Sequence, residues 1–514
     1  MTISRTDPFL VAGFVGAVFL GAVVPRIRAE AWPAYRGPTG DGVCHEAIDL
    51  DWPAGGPPLL WRKPLTDGFS SVTVAGDRVF TLIRQRTPQD RELCVALRVS
   101  DGTTLWSTDV GPAGYDSGPE GVSGGSDGPR STPVFHNDRV YVYASHMELS
   151  CLDAATGAML WDHDLIGEFG GVNIPWQSAA SPLICEGAVL VNCGAAGQSL
   201  LGFDPVDGAL LWKGGSYNCT QATPVVADFG GRVQAVFLTR RVVVSVAPAN
   251  GEVLWAHNIT MNATSTAASP VTSGDLVFVS SGYGTGAAAI QVAQDGEALA
   301  ASEFWRKRAE LMSHWMTPVE HEGHVYGQFG YADYTTAPLQ CIDVRTGIIQ
   351  WTTPGFGHGG LIRVGDQLLA MTDRGYLARV EATPTAYHER QRFRAVNSGV
   401  VWNAPAISDG RLYVRSTKEL AVYDVSLAPP APLRLEGELT GPGFLRLRIG
   451  NADATPVDPG RLGGIEVLAA DDPSVSILEW EATGIVPTWV DGAFEFEETI
   501  PAGTARRFYR VVED

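Results

Sequence analysis

Residues 131–161, STPVFHNDRVYVYASHMELSCLDAATGAMLW, set the pattern for most of the chain. An apolar run follows Pro133, a polar turn falls at Asn137-Asp138, and residues 140–144 form a short alternating run. A second apolar run ends at Leu152, a turn occupies residues 153–157, and a last short strand ends on Trp161. Runs of this length and alternation, punctuated by Asn, Asp and Gly, predict four antiparallel strands joined by hairpins. One such sheet cannot bury both its faces alone, so it needs neighbours of its own kind.

The unit recurs every roughly 40 to 55 residues, the spacing of four-stranded propeller blades. Its marker is a turn carrying Asp or Thr and Gly, followed closely by Leu-Trp or a relative. Blade one covers residues 69–106 with its turn at Asp101-Gly102, blade two ends at Trp161, and blade three ends at Trp212 after Asp207-Gly208. Blade four closes on Asn250-Gly251 and Trp255, and blade six on Thr346-Gly347 and Trp351. Blade five, from Ser269-Pro270 to Phe304-Trp305, reads as degenerate. Blade seven, from Leu361, has Phe393 in place of the Trp, and blade eight, residues 402–425, stops one strand short.

Leu59-Leu60-Trp61 is a lone strand with no blade before it. It is expected to complete blade eight, because closing the ring removes exposed edges. The predicted fold is therefore all-β: an eight-bladed propeller of four-stranded blades over residues 32–427, closed by an N-terminal strand. Trp61, Trp106, Trp161, Trp212, Trp255, Trp305 and Trp351 read as structural packing between adjacent blades.

Outside the repeats, residues 1–31 read as an export signal, with Arg5, an apolar run over 9–24 and the Ala29-Glu30-Ala31 cleavage pattern. Export to the periplasm, cell surface or medium of a bacterium follows as the expectation, as a monomer with no transmembrane span once the signal is cleaved. Residues 428–432 form a Pro-rich linker. Residues 433–514 contain about six alternating segments, among them 444–449, 465–469, 493–497 and 507–512, which predict a small β-sandwich. Glu479, Glu481, Glu495, Glu497 and Glu498 alternate with apolar residues there, the pattern of a solvated sheet face.

Composition narrows the partners. The formal net charge of −20 excludes nucleic acid, whose phosphates need a basic surface. The seven cysteines do not form a framework. Cys151 and Cys341 take the repeat position that Ala96 and Gly202 hold elsewhere, a small buried slot, and the turn at Glu186-Gly187 does not set Cys185 opposite Cys193. At most one disulfide is expected.

The D-x-x-T-G-x-x-L-W signature ending at Trp161 and the SPV or TPV strand openings resemble the pyrroloquinoline quinone (PQQ)-like propeller repeat. That family includes quinone-dependent alcohol dehydrogenases and the propeller lipoprotein of outer-membrane protein assembly. The stretches AWPAYRGPTGDGV, SGYGTGAA, VEATP and APAISDGRLYVRS resemble secreted bacterial members. The resemblance spans residues 32–424 and implies the fold.

In such a ring, loops leading from one blade into the next open around the channel on one face. They supply Asp127, Arg130, Asn173, Trp176, Gln177, Tyr217, Asn262, His314, Trp315, His358, Trp402 and Asn403 as candidate ligand-binding residues. Aromatic and amide groups converging on a funnel suit a flat or polar ligand, whereas Trp176, Trp315 and Trp402 could equally plug it. The resemblance implies a test: quinone enzymes hold PQQ against a Trp and an adjacent-cysteine disulfide, beside a calcium ion held by Glu, Asn and a catalytic Asp. Here no cysteines are adjacent, and Asp127 is the only carboxylate placed in these loops, against the six to eight oxygens that calcium takes.

Three local motifs read as turns or loops, not sites: G-x-S-x-G at 121–125, His321-Glu322-Gly323-His324, and the Gly-rich 282–286. The favoured expectation is a non-catalytic binding or scaffold protein of the cell envelope, without metal or cofactor, whose partner is an envelope protein or a small or polysaccharide ligand. The alternative is a PQQ- or metal-dependent oxidoreductase, and a polysaccharide lyase or hydrolase lacks an acid–base pair.

Overall fold

The computed structural model describes residues 31–115, 127–296, 298–330, 336–428, and 433–513 other than 442–443, 454, 460–464, 471–479, 485 and 500–507. The export-signal segment, the G-x-S-x-G loop, the linker from 429 and Glu479 lie outside the described residues. One compact unit covers Ala29–Leu427, and a second contains Ala428–Asp514.

In the first unit, alternating hairpins give eight antiparallel sheets, seven of four strands and one of five, arranged as the blades of a propeller. The template blade consists of Val134–His136, Arg139–Tyr143, Glu148–Asp153 and Met159–Asp164. Its first hairpin turns on Asn137 and Asp138, both at positive φ (47° and 58°), the geometry that matches strand twist in a two-residue turn. The middle strands are buried along nearly their whole length because neighbouring blades cover both faces. Leu59–Pro64 pairs antiparallel with Glu419–Asp424, Trp61 opposite Val422 and Lys63 opposite Leu420, so the strand left over near the N-terminus does complete blade eight.

Blade five differs from its reading as degenerate. It has four strands, and its outer pair, Gly286–Asp295 and Ala298–Lys307, are ten residues each. What it lacks is the Thr-Gly turn, because its outer strands run on and pair as far as Asp295 with Ala298, and the sequence marker tracks that turn rather than the strands.

The paired occurrence of Gly turn and Trp has a physical basis across blade junctions. Each Trp of one blade reaches the turn of the next: Trp61 Nε1 donates to the Val99 carbonyl, Trp106 to Ala154, Trp161 to Pro205, Trp212 to Pro248, Trp305 to Val344 and Trp351 to Thr383. The indole lies on the turn glycine, where a Cβ would approach Trp161 to 2.8 Å at Gly208. Trp255 bonds differently, although it too shares a buried cluster with Val277 and Val279 of the next blade. Its Nε1 donates to Gln234 Oε1 in its own blade, because blade five offers no matching turn. Gly208 also sits at φ 74°, so Gly208→Ala combines left-handed strain with a clash and is expected to cost about 2 kcal/mol. Chemical denaturation of the variant against the parent checks this.

The sequence pattern did not foresee the course of residues 32–49. Trp32 bridges Val74 in blade one, the Pro33 carbonyl accepts from Phe135 N in blade two, and Arg36 reaches the Thr317 and Pro318 carbonyls of blade six. Blades two and six face each other in a ring of eight, so the segment crosses the central channel. Val43–Cys44 then adds a fifth strand, parallel to Gly360–Val364, to blade seven.

The second unit holds a four-stranded and a three-stranded sheet. Leu447, Ile449, Phe494 and Phe496 of one share a buried cluster with Val467 of the other, as a two-sheet sandwich requires. Its glutamates alternate outward and pair across strands, Arg446 with Glu497 at 2.9 Å and Arg448 with Glu495 at 3.2 Å. Among the described residues, no helix is long and apolar enough to cross a membrane.

Candidate functional site: the channel mouth

Six of the eight inner strands, those of blades one to six, begin just after a Ser or Thr of the repeat, and these residues line the channel. Ser71 N donates to Thr132 Oγ1 (3.2 Å), Thr132 N to Ser181 Oγ (2.8 Å) and Ser181 N to Thr223 Oγ1 (2.9 Å). Across the ring Ser269 N donates to Thr317 Oγ1 (2.9 Å), and Ser71 Oγ donates to the Ala404 carbonyl (2.9 Å), joining blade one to the approach to blade eight. Small hydroxyls of blades one, two, three, four and six thus tie neighbouring inner strands together.

Above this ring lies a cavity of ≈ 160 Å³. One wall is aromatic: Tyr283 stands against His314 (ring centroids 4.8 Å), His314 against Trp315 (4.2 Å), Trp315 against Trp402 (4.5 Å, 45° apart), and Trp402 is stacked on Phe69 at 4.8 Å. The other wall carries Thr132, Ser181 and Thr223 with Arg130 and Trp176 at their rim. Trp176 and Gln177 are consecutive non-glycine residues at positive φ (74° and 61°), a conformation that side chains resist and that persists where surrounding contacts impose it. One such contact is Arg130, whose Nη1 donates to the Trp176 carbonyl.

A buried network fixes Arg130. Its Nη2 pairs with Asp127 at 2.8 Å, and the Tyr115 ring lies between the Arg84 and Arg130 guanidiniums, 4.9 and 5.3 Å from its centroid. Arg84 in turn donates to the Asp127 carbonyl at 2.9 Å. Tyr115 also hydrogen-bonds the fully buried Glu92, whose carboxyl burial pushes up and Ser145 and Tyr115 pull back down. The floor is Arg36, 3% exposed, donating to the carbonyls of Thr317 (2.7 Å), Pro318 (2.6 Å) and Asp41 (2.6 Å). Burial lowers its pKa. Arg36 also lines a second cavity of ≈ 230 Å³, so the crossing segment divides the channel in two.

Of the residues read as channel-facing, Arg130, Trp176, His314, Trp315, Trp402 and Asn403 line this cavity. Asn403 also donates to the Ser70 carbonyl at 3.2 Å. The other six do not line it. Asp127 is 2% exposed behind Arg130, and His358, 1% exposed, packs behind Trp315 at 4.7 Å. Asn173 donates to the Ser145 carbonyl, Asn262 caps its own turn at Thr264 and Ser265, and the Gln177 carbonyl accepts from Gln221. Tyr217 packs in the core between blades three and four. Loop position alone brought them forward, and local turn bonding decides where such amides point. The reading missed Tyr35, Arg36, Phe69, Tyr283 and the hydroxyls, of which only the recurrent Ser or Thr before Pro carried a repeat signal.

Burial and the neighbouring His358 push the His314 pKa down to about 3, so the imidazole is neutral across ordinary pH. The unfolded chain protonates it near 6.5 while the folded protein does not. Its contribution to stability is therefore full above that value and is lost as pH falls from 6.5 towards 3. His314→Phe is expected to reduce the fall in melting temperature across that window, which a pH series of thermal melts measures.

A calcium-held quinone is matched poorly by this donor set. The lining holds two arginines and no Asp or Glu, and Asp127 is engaged by Arg130 and by Gly128 N. All seven cysteines are buried, none lines the cavity, and among the described residues none forms a disulfide. Among the described residues, no group of three His, Cys, Asp or Glu could hold a metal ion.

Eight sheets, a strand-closed ring and a mouth built from inter-blade loops define an eight-bladed β-propeller. A family model described as outer membrane protein assembly factor BamB matches residues 89–353, more than half of the chain. The chain belongs to the PQQ-like repeat β-propeller family. Its structure is similar to that of BamB from Moraxella catarrhalis, with TM-score 0.50 and 14% identity over 72% of this chain and 99% of that one. It is similar also to the quinohemoprotein alcohol dehydrogenase ADHIIG from Pseudomonas putida HK5, with TM-score 0.51 and 12% identity over 80% and 83% of the two chains. At these identities the likeness shows the fold alone. No curated protein matches the chain.

Proposed function

We propose that this chain is an exported, non-catalytic binding propeller of the bacterial cell envelope, acting through its channel mouth. The observation that carries the reading is the lining itself: an aromatic wall facing hydroxyls and arginines, with no carboxylate free to act as base or cation ligand. The match to a family described by outer-membrane assembly supports an envelope location, as does the export pattern of residues 1–31. The partner is an envelope protein or a saccharide that the mouth admits.

An oxidoreductase is the second reading, favoured by the shared fold of the Pseudomonas enzyme. The two separate in one assay. The full chain is titrated with PQQ and Ca²⁺ and supplied with primary alcohols and an artificial electron acceptor. A binding protein leaves the dye oxidised at every quinone concentration. Dye reduction that requires added quinone and disappears in Asp127→Asn would replace the binding reading with the oxidoreductase one.

A further inference from the structure

The two walls of the mouth differ in kind, and the difference specifies a ligand. On one side Thr132, Ser181 and Thr223, each more than nine-tenths buried, line the cavity in a row from successive blades. Thr132, Ser181 and Thr223 each accept a backbone N–H from the blade before them, which occupies an acceptor lone pair. Among the described residues none of the three donates its own O–H to a protein group. Three hydroxyl donors are therefore left to the cavity they line, and a buried donor without an acceptor is costly.

At the floor, Arg36 is satisfied at both terminal nitrogens by carbonyls, but its buried Nε has no partner among the described residues. None of those acceptors carries a charge. Opposite, Trp315 and Trp402 meet at 45°, giving a bent apolar wall rather than two parallel faces. A flat heterocycle lying parallel to one indole would meet the other at 45° and so could stack on only one of the two. A pyranose ring presents a puckered C–H face on one side and hydroxyls round its edge, which suits a bent wall facing a row of donors.

We propose that the mouth binds an acidic saccharide, with the sugar face on Trp315 and Trp402, the ring oxygens and carboxylate taking the O–H groups of Thr132, Ser181 and Thr223, and the negative charge balanced by Arg36. This deepens the binding reading above and rests on it. Carboxylate is the anion chosen because it accepts from several donors at once and its charge complements a guanidinium. The formal charge of −20 on the whole chain does not oppose this, since exposed charges beyond about 8 Å are screened at physiological salt while the buried guanidinium is not.

The test uses the full chain, tri-galacturonate as probe and its fully methyl-esterified form as the neutral control, read by calorimetry and tryptophan fluorescence. The acid is expected to bind at least tenfold more tightly than the ester and to change the indole emission. Trp315→Ala should weaken both sugars at least tenfold, with Trp315→Phe restoring part of the loss. Ser181→Ala should weaken the acid several-fold, and thermal melts of each variant report whether the fold is kept. If Ser181→Ala does not fold, the acid-to-ester ratio and the Trp315 pair still decide the matter. Equal affinity for acid and ester, or binding unaffected by Trp315→Ala, overturns the proposal. Failure of both sugars while PQQ binds and supports dye reduction overturns the non-catalytic reading with it; failure of both sugars without quinone activity overturns only the saccharide assignment.

Discussion

Arg415→Met is expected to destabilise the propeller by about 4 kcal/mol, the largest loss from a single exchange away from the mouth. Arg415 is 2% exposed and belongs to blade eight, yet its guanidinium bonds groups of blade one and its approach: Nη1 donates to the Ser70 carbonyl at 2.7 Å and to Thr81 Oγ1, and Nη2 to the Leu82 carbonyl at 2.8 Å. Burial pushes its pKa down to about 9, so it stays charged at neutral pH. Methionine of similar length fills the space but supplies no donors, and carbonyls left unsatisfied in a buried junction cost roughly 1–3 kcal/mol each. The midpoint of denaturant unfolding should fall markedly, while Arg415→Lys should recover only part of the loss because one ammonium cannot span the same fork.

Trp61→Ala is expected to cost about 3 kcal/mol, within the range for removing a large packed side chain. The indole fixes the closing strand to the neighbouring blade twice, through the 2.8 Å bond to the Val99 carbonyl and by lying on Gly102, whose added Cβ would come to 2.8 Å. Deleting residues 59–64 should do more. It exposes the outer edge of Glu419–Asp424 and leaves Glu419 without Arg62, its partner at 3.0 Å. The expected outcome is a chain that aggregates through the open edge, measured by light scattering and size-exclusion chromatography. Trp61→Phe, retaining the ring but not the N–H, should fall between parent and Ala.

These two positions also show what a sequence reveals of such a fold. The closing strand was legible because Leu-Trp occurred once too often at the start and once too seldom at the end. The Gly-Trp marker was legible because it recurs, and the structure explains its recurrence as contact between one blade's indole and the next blade's turn. Blade five lost the marker without losing the sheet, since strand pairing needs alternation and not that particular turn. Residues 32–49 were illegible. They follow no period, and their path is set by partners hundreds of positions away, as in the bonds from Arg36 to Pro318, 282 positions on, and from Gly410 to Glu46, 364 positions apart.

The mouth was half legible for a related reason. Bulky aromatics in inter-blade loops, such as Trp315 and Trp402, had nowhere else to pack and did line the cavity. Short polar side chains such as Asn173 and Asn262 had local backbone groups to bond, and did so. The recurrent Ser or Thr before Pro was visible as a strand opening. Its second role, a hydroxyl passed from blade to blade around the channel, depends on ring closure and cannot be read from any single repeat.

The ring itself is tested most directly by hydrogen exchange, followed by mass spectrometry of peptides covering Leu59–Pro64 and Glu419–Asp424. A closed ring predicts that amides of both segments exchange together and as slowly as the inner strands of blade two, and that Trp61→Ala speeds both. Fast exchange across residues 59–64 alongside full protection at 419–424 would contradict closure by that strand, and with it the mouth that closure creates.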